Sequence, residues 1–171
     1  YNAFGEERFL QAAVRNANFI VDKQWREDGG LNHSYKAGRS TINGYLEDYS
    51  FTVEAFIALY QATFDEDWLE KANKLAGYSI DHFYEEADGM FYFVSNKDKP
   101  LIARKIELND NVIPASNSSM AKGLYALGVY YDNAAYKKVV HQMLKNVYAQ
   151  MPNYGAGYSN WAMLLLHYVY P

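Results

Sequence analysis

The chain has 171 residues, enough for one domain with a sizeable core. Half of the residues are hydrophobic and 21% are charged, a balance that excludes intrinsic disorder. A net charge of -4 leaves no basic stripe for nucleic acid, and the lack of any cysteine excludes disulfides, thiolate metal ligands and thiol redox chemistry.

In chain order, Glu6 to Lys23 places Phe9, Leu10, Ala13, Val14, Ala17, Ile20 and Val21 at i, i+3, i+4 spacing, with Glu7, Arg15 and Asp22 opposite. That pattern predicts an amphipathic helix with one wet side. Leu31 to Tyr35 follows as a strand-like fragment. Thr52 to Phe64 holds one charge, Glu54, and reads as a helix buried on all sides. Asp67 to Glu85 repeats the amphipathic pattern with Trp68, Leu69, Ala72, Leu75, Ala76, Ile80 and Phe83. Met90 to Val94, behind the turn pair Asp88-Gly89, is a second fragment suited to a short β-hairpin.

Ser95 to Pro114 is the longest connection, at 20 residues, a length at which loops carry function or lack order. Asn117 to Tyr131 again holds a single charge, Lys122, and reads as a second buried helix. Ala134 to Gln150 is the third amphipathic stretch, built on Tyr136, Val139, Val140, Met143, Leu144 and Val147. Pro152 to Tyr158, with Gly155 and Gly157, is a third candidate β-hairpin, and Ser159 to Tyr170 is a helix without Asp, Glu, Lys or Arg.

These segments form a repeat. Phe9, Trp68 and Tyr136 open the three charged helices; Phe9 and Trp68 stand 59 positions apart, as do Gly30 and Gly89. The predicted fold class is all-α: a single unit over 1–171 of three α/α hairpins, roughly 5–64, 67–131 and 134–170. Amphipathic outer helices surround apolar inner ones, with short β-hairpins in the loops. The longest apolar run near the end, Trp161 to Val169, is too short for a bilayer, so no membrane partner is expected. A cytoplasmic location needs the fewest assumptions.

Each inner helix opens on polar residues: Glu47-Asp48-Tyr49-Ser50, Ser116-Asn117-Ser118 and Ser159-Asn160. Such residues cap orphan N–H groups, and where several helix ends converge they also favour anions or sugar oxygens. Glu47 and Asp48 are the candidate catalytic pair, for acid and base work on a glycosidic bond or for gripping hydroxyls. Adjacent residues diverge on a helix, so a facing acid is sought in Asp110 or outside this chain. His33, Tyr45, Arg104, Asp110, Asn117, Asn160 and Trp161 are the candidate binding residues, Trp161 as a stacking platform. Capping, solvated charge and core packing are their competing structural readings. His33, His82, His141 and His167 lack metal spacing, and neither metal nor cofactor is expected. The 17 tyrosines suit either the walls of a sugar groove or the spaces between helices.

Leu46-Glu-Asp-Tyr-Ser-Phe51, Ala58-Leu-Tyr-Gln-Ala-Thr63 and Trp68-Leu-Glu70 resemble the YyaL-type family, which includes the spermatogenesis-associated thioredoxin-domain proteins. Asp110-Asn-Val-Ile-Pro-Ala-Ser-Asn-Ser118 is similar to that family's Asp-Gly-Ala-x-Pro-Ser-Gly-Asn-Ser segment, with Asn111-Val112 and Ala115-Ser116 in place of its glycine-bearing pairs. The resemblance implies a thioredoxin-like domain followed by an (α/α)6 toroid related to six-hairpin glycosidases and N-acylglucosamine 2-epimerases. This chain would then be the last three hairpins, without the thioredoxin-like domain and the first half of the toroid. It further implies a saccharide at the mouth of the inner helices, bound or processed by glycoside hydrolase or epimerase-like chemistry. The paired-histidine shuttle of the epimerases is not visible. The other reading is a non-catalytic helical scaffold that binds a protein partner or the family's own thioredoxin-like domain. Half a ring would expose the flanks of 52–64 and 159–170, so self-association or packing on a missing segment is expected.

Overall fold

A computed structural model describes residues 1–99 and 104–170. Its elements are α1 (Glu7–Phe19), α2 (Leu46–Thr63), α3 (Glu66–Phe83), β1 (Tyr84–Glu85), β2 (Met90–Phe91), α4 (Ser116–Tyr130), α5 (Ala134–Tyr148) and α6 (Ser159–Val169). The fold is all-α with one short β-hairpin, and its six helices follow the six helical segments expected. One π-helical turn, Ile20–Gln24, extends α1.

Local chemistry explains most boundaries. The Asp65 carboxylate accepts the Asp67 N–H (3.1 Å) ahead of α3, and the Asn133 side chain accepts from Ala135 and Tyr136 (2.9 and 3.2 Å) ahead of α5. α2 begins six residues before the expected Thr52. There Asp48 reaches back to the Tyr45 N–H (2.8 Å), one half of a capping box, and so starts the helix early. Thr52 lies more than a turn inside and returns its hydroxyl to the Asp48 carbonyl (2.6 Å) instead of capping. Glu47 and Asp48 therefore sit within the first turn of α2 rather than ahead of it.

α2 packs against α3 and α4, and α4 against α5 and α6, so α2, α4 and α6 form an inner row backed by α1, α3 and α5. Phe56 of α2 meets Trp68 of α3 at 5.2 Å between ring centroids. Gly123 lets α4 close on α2, because a Cβ there would lie 2.7 Å from Val53 Cγ1. The opening half of α4 is fully buried, including Ser116, Asn117, Ser118 and Ser119. Burial on all sides does not hold for the other two inner helices. Ala55 and Ala58 of α2 and Met163, Leu166 and Val169 of α6 face solvent.

The loops correct two further expectations. Met90 and Phe91 do form a strand, paired with Tyr84 and Glu85 across a turn in which Gly89 takes φ +63. That pairing ends α3 at Phe83, short of the expected Glu85. Pro152 to Tyr158 forms no β-hairpin but two 3-10 turns, Met151–Asn153 and Gly155–Tyr158. Pro152 lacks the N–H a ladder would need, and its fixed φ suits the first position of a helical turn. Leu31 and Asn32 make only isolated bridges, to Trp25 and Asn43. No helix among the described residues is long and apolar enough to cross a membrane.

Candidate functional site

The helix ends that matter are tied together by the second half of the long loop. Leu46, at the start of α2, donates its N–H to Phe93 O (3.0 Å), and Phe93 donates to Lys105 O (2.7 Å). Asn117, in the first turn of α4, accepts the Phe91 N–H (3.0 Å) and donates to Phe91 O (2.9 Å) and Glu107 O (3.0 Å). Asp110 then spans two helices. It accepts from Ala115 N–H (3.0 Å) and Ser118 Oγ (2.7 Å) at α4, and from Asn160 N–H (2.8 Å) at α6. One strip of chain, Lys105 to Ala115, thus brings the N-termini of α2, α4 and α6 to a common face.

The acids at this face divide into engaged and free. Asp48 is engaged: besides capping Tyr45, its carboxylate lies 2.9 Å from His33 Nδ1. The His33 ring meets Tyr45 edge-on at 5.0 Å, and Tyr45 stacks on Phe93 at 5.1 Å, so His33, Tyr45 and Asp48 form one packed cluster. The Glu47 carboxylate has no hydrogen-bond partner among the described residues. It is half-buried, and a cavity of about 170 Å³ that it lines is shared with Asp48, Asn32, Gln24 and Thr52. Burial pushes the Glu47 carboxyl above its ordinary value, and the charges of Asp48 and Glu107 push it further while His33 opposes them.

Glu107 is the residue that sequence reasoning passed over. It is half-buried, contacts Ser116 Oγ (3.2 Å) and pairs with Lys105 (3.6 Å). A second cavity of about 460 Å³ is lined by Glu107 together with Lys105, Asn109, Asp110, Asn111 and Tyr154. The available signal was an acid within the long loop, three positions before the Asp110 already singled out. The charge of Glu107 is felt at Glu47, whose carboxyl it helps to push above its ordinary value.

The other candidates are placed as follows. Asn117 is buried and its side chain is committed to backbone groups. Trp161 is 0% exposed and donates its indole N–H to Leu108 O (2.8 Å), which anchors the loop and leaves no ring face for a sugar. This corrects its reading as a stacking platform. Arg104 donates to Val94 O (3.0 Å) and lies over the Tyr92 ring at 4.1 Å, holding the loop rather than pairing with Glu47. Asn160 contributes its backbone N–H to Asp110. Among the described residues no cluster of three His, Asp or Glu side chains is arranged to hold a metal ion.

No protein-family model matches the chain. It is 27% identical over 154 residues to an uncharacterized protein of Caenorhabditis elegans, B0495.5, covering 85% of this chain and 21% of that protein. It is 28% identical over 134 residues to human spermatogenesis-associated protein 20, covering 72% of this chain and 17% of that protein. For the rat protein of the same name the figures are 30% over 139 residues, 74% and 17%. The chain is thus similar to spermatogenesis-associated protein 20 over most of its own length, and spans about a fifth of the length of the curated relatives it matches.

Proposed function

We propose that this chain is half of an (α/α)6 ring in a longer, cytoplasmic protein of the thioredoxin-linked YyaL type, and that the face shared by α2, α4 and α6 binds a carbohydrate. Similarity over most of the chain to part of much longer proteins supports the first statement. The observation that carries the second is the state of Glu47. Among the described residues its carboxyl caps nothing; it borders a cavity and is held toward its protonated form by burial and by Asp48 and Glu107.

A carboxyl that keeps its proton more readily donates to a sugar oxygen, and with a substrate in place it can protonate a glycosidic oxygen. Glu107 offers an acceptor in the second cavity, where Lys105, Asn109 and Asn111 beside it supply donors for hydroxyls. Asp48 lines the same cavity as Glu47, with its carboxylate held by His33 and by the Tyr45 N–H. A saccharide panel screened by thermal shift tests the reading. At least one sugar should raise Tm of the chain, and Glu47→Ala and Glu107→Ala should each abolish that rise. A panel in which no sugar shifts the chain or the longer protein would sink it.

A further inference from the structure

One residue of the repeat is out of character. Trp68 of α3 and Tyr136 of α5 stand 68 positions apart, and so do Phe64 and Asp132, each four positions ahead of them. Phe64 and Asp132 hold the left-handed turns that join an inner helix to the next outer one, with φ +58 and +47. An aspartate takes that conformation with little strain, and Asp132 gives its carboxylate to Lys137 (2.6 Å). A phenylalanine is ill suited to it, and the Phe64 ring gains no burial in return, being 80% exposed. Neither local geometry nor packing accounts for an aromatic side chain at this position.

Phe64 belongs to an aromatic face. Its ring meets Tyr60 edge-on at 6.5 Å between centroids, and Tyr60 meets Tyr130 edge-on at 5.3 Å. Gln61 Nε2 donates to the Tyr130 hydroxyl (3.0 Å), which ties the end of α2 to the end of α4. Val129, Tyr130 and Tyr131 are exposed at the same end of α4. The face is thus built from the two joints that flank the α3–α4 hairpin.

The electrostatics around these rings favour a cation. A helix C-terminus carries partial negative charge, and those of α2 and α4 meet here. α3, α5 and α6 carry His82, Lys145 and His167 in their last turns, whereas α2 and α4 have no basic residue there. Glu66 and Glu70 lie one turn apart on α3, where like charges repel. Lys71 pairs with Asp67 (3.7 Å) and Lys137 with Asp132, which leaves Glu66 and Glu70 without an ion pair among the described residues. Both act on Tyr131: burial pushes its hydroxyl above the ordinary value, and the charges of Glu70 and Glu66 push it further. Aromatic ring faces add negative potential of their own.

We propose that this face binds a partner protein through an arginine of an extended segment, its guanidinium set among the rings of Phe64, Tyr130 and Tyr131 and paired with Glu66 and Glu70. Arginine fits better than lysine, because its planar group both stacks on rings and bonds carboxylates as a fork. Phe64 and Val129 offer apolar surface to the residues that flank the arginine. α2 has 18 residues, so the face lies about 27 Å along that helix from Glu47. The site therefore goes beyond the carbohydrate reading and does not depend on it.

Fluorescence anisotropy of a labelled peptide of alternating arginine and glycine, titrated with the full-length protein, tests the site. The peptide should bind, its lysine counterpart more weakly, and its citrulline counterpart, similar in shape but uncharged, not at all. Phe64→Gly relieves the left-handed strain, so it should raise Tm while raising Kd for the arginine peptide about tenfold. Glu66→Gln combined with Glu70→Gln should weaken binding to a similar extent. Glu85→Gln combined with Glu86→Gln, exposed acids at the far end of α3, should leave Kd unchanged. Failure of the arginine peptide to bind overturns the proposal, as does binding that survives Phe64→Gly or falls equally with the Glu85 and Glu86 pair. So does binding by this chain alone that the full-length protein lacks, which would give the face to another segment of the same protein.

Discussion

Asp110 and Asn160 are separated by 50 positions, and the Asp110 carboxylate accepts the Asn160 N–H at 2.8 Å while its other oxygen holds Ala115 and Ser118. One buried side chain thus caps two helices. Asp110→Ala strips caps from α4 and α6 together and should cost about 3 kcal/mol, measured by urea denaturation. A loss below about 1 kcal/mol would mean that water replaces the carboxylate at both ends.

Glu47 gives a stability effect with a defined sign. Its folded pKa lies above its unfolded value, so its contribution is fully present below the unfolded pKa, about 4.3, and is lost as pH rises through the folded value. Glu47→Gln should therefore raise Tm at pH 7 and give no gain below about pH 4. A lower Tm at pH 7 would show that ionised Glu47 stabilises the fold.

Asp28 works in the opposite direction. The Arg26 hydrogen bond, offset by partial burial and reinforced by the Gly30 N–H and Lys97, holds its carboxyl well below the usual range. The stability it supplies is present above the unfolded pKa of about 3.9 and fades as pH falls toward the lower folded value. Denaturation midpoints measured from pH 7 to pH 3 should decline less steeply for Asp28→Asn than for wild type. Equal slopes would assign the acid sensitivity to other carboxylates.

Tyr49 is fully buried, and its hydroxyl accepts the Leu31 N–H at 2.7 Å. Tyr49→Phe leaves that N–H without its acceptor and should cost about 1–3 kcal/mol by denaturation. Stacking on Tyr78 survives the change, so a larger loss would point to rearrangement of the Leu31 loop.

Much of this molecule is legible residue by residue. The amphipathic stripe of Phe9, Leu10, Ala13 and Ala17 and its copy at Trp68, Leu69, Ala72 and Ala76 announce both the helices and the hairpin repeat. Capping at Asn133 follows from an Asn placed directly before a periodic run. The apolar run alone places the start of α2 at Thr52 and leaves Glu47 to Ser50 ahead of it, whereas Asp48 starts the helix earlier by reaching back to Tyr45. Pro152 to Tyr158 was misplaced because its glycines suit a turn of either kind. At the site, Asp110 was recognisable as an acid near helix ends, but the importance of Glu107 depends on its charge being felt at Glu47, 60 positions earlier.

By itself the sequence determined which stretches are helical and which side of each is apolar, since a 3.6-residue period is a local property of the chain. Only the tertiary structure decided which acids became caps and which stayed free. That outcome is a competition among carboxylates for a limited set of backbone N–H groups, and it is resolved when the 105–115 strip is laid across three helix ends. Asp48 and Asp110 take the donors within reach, and Glu47 is left bordering a cavity, its carboxyl raised by burial and by the charges of Asp48 and Glu107.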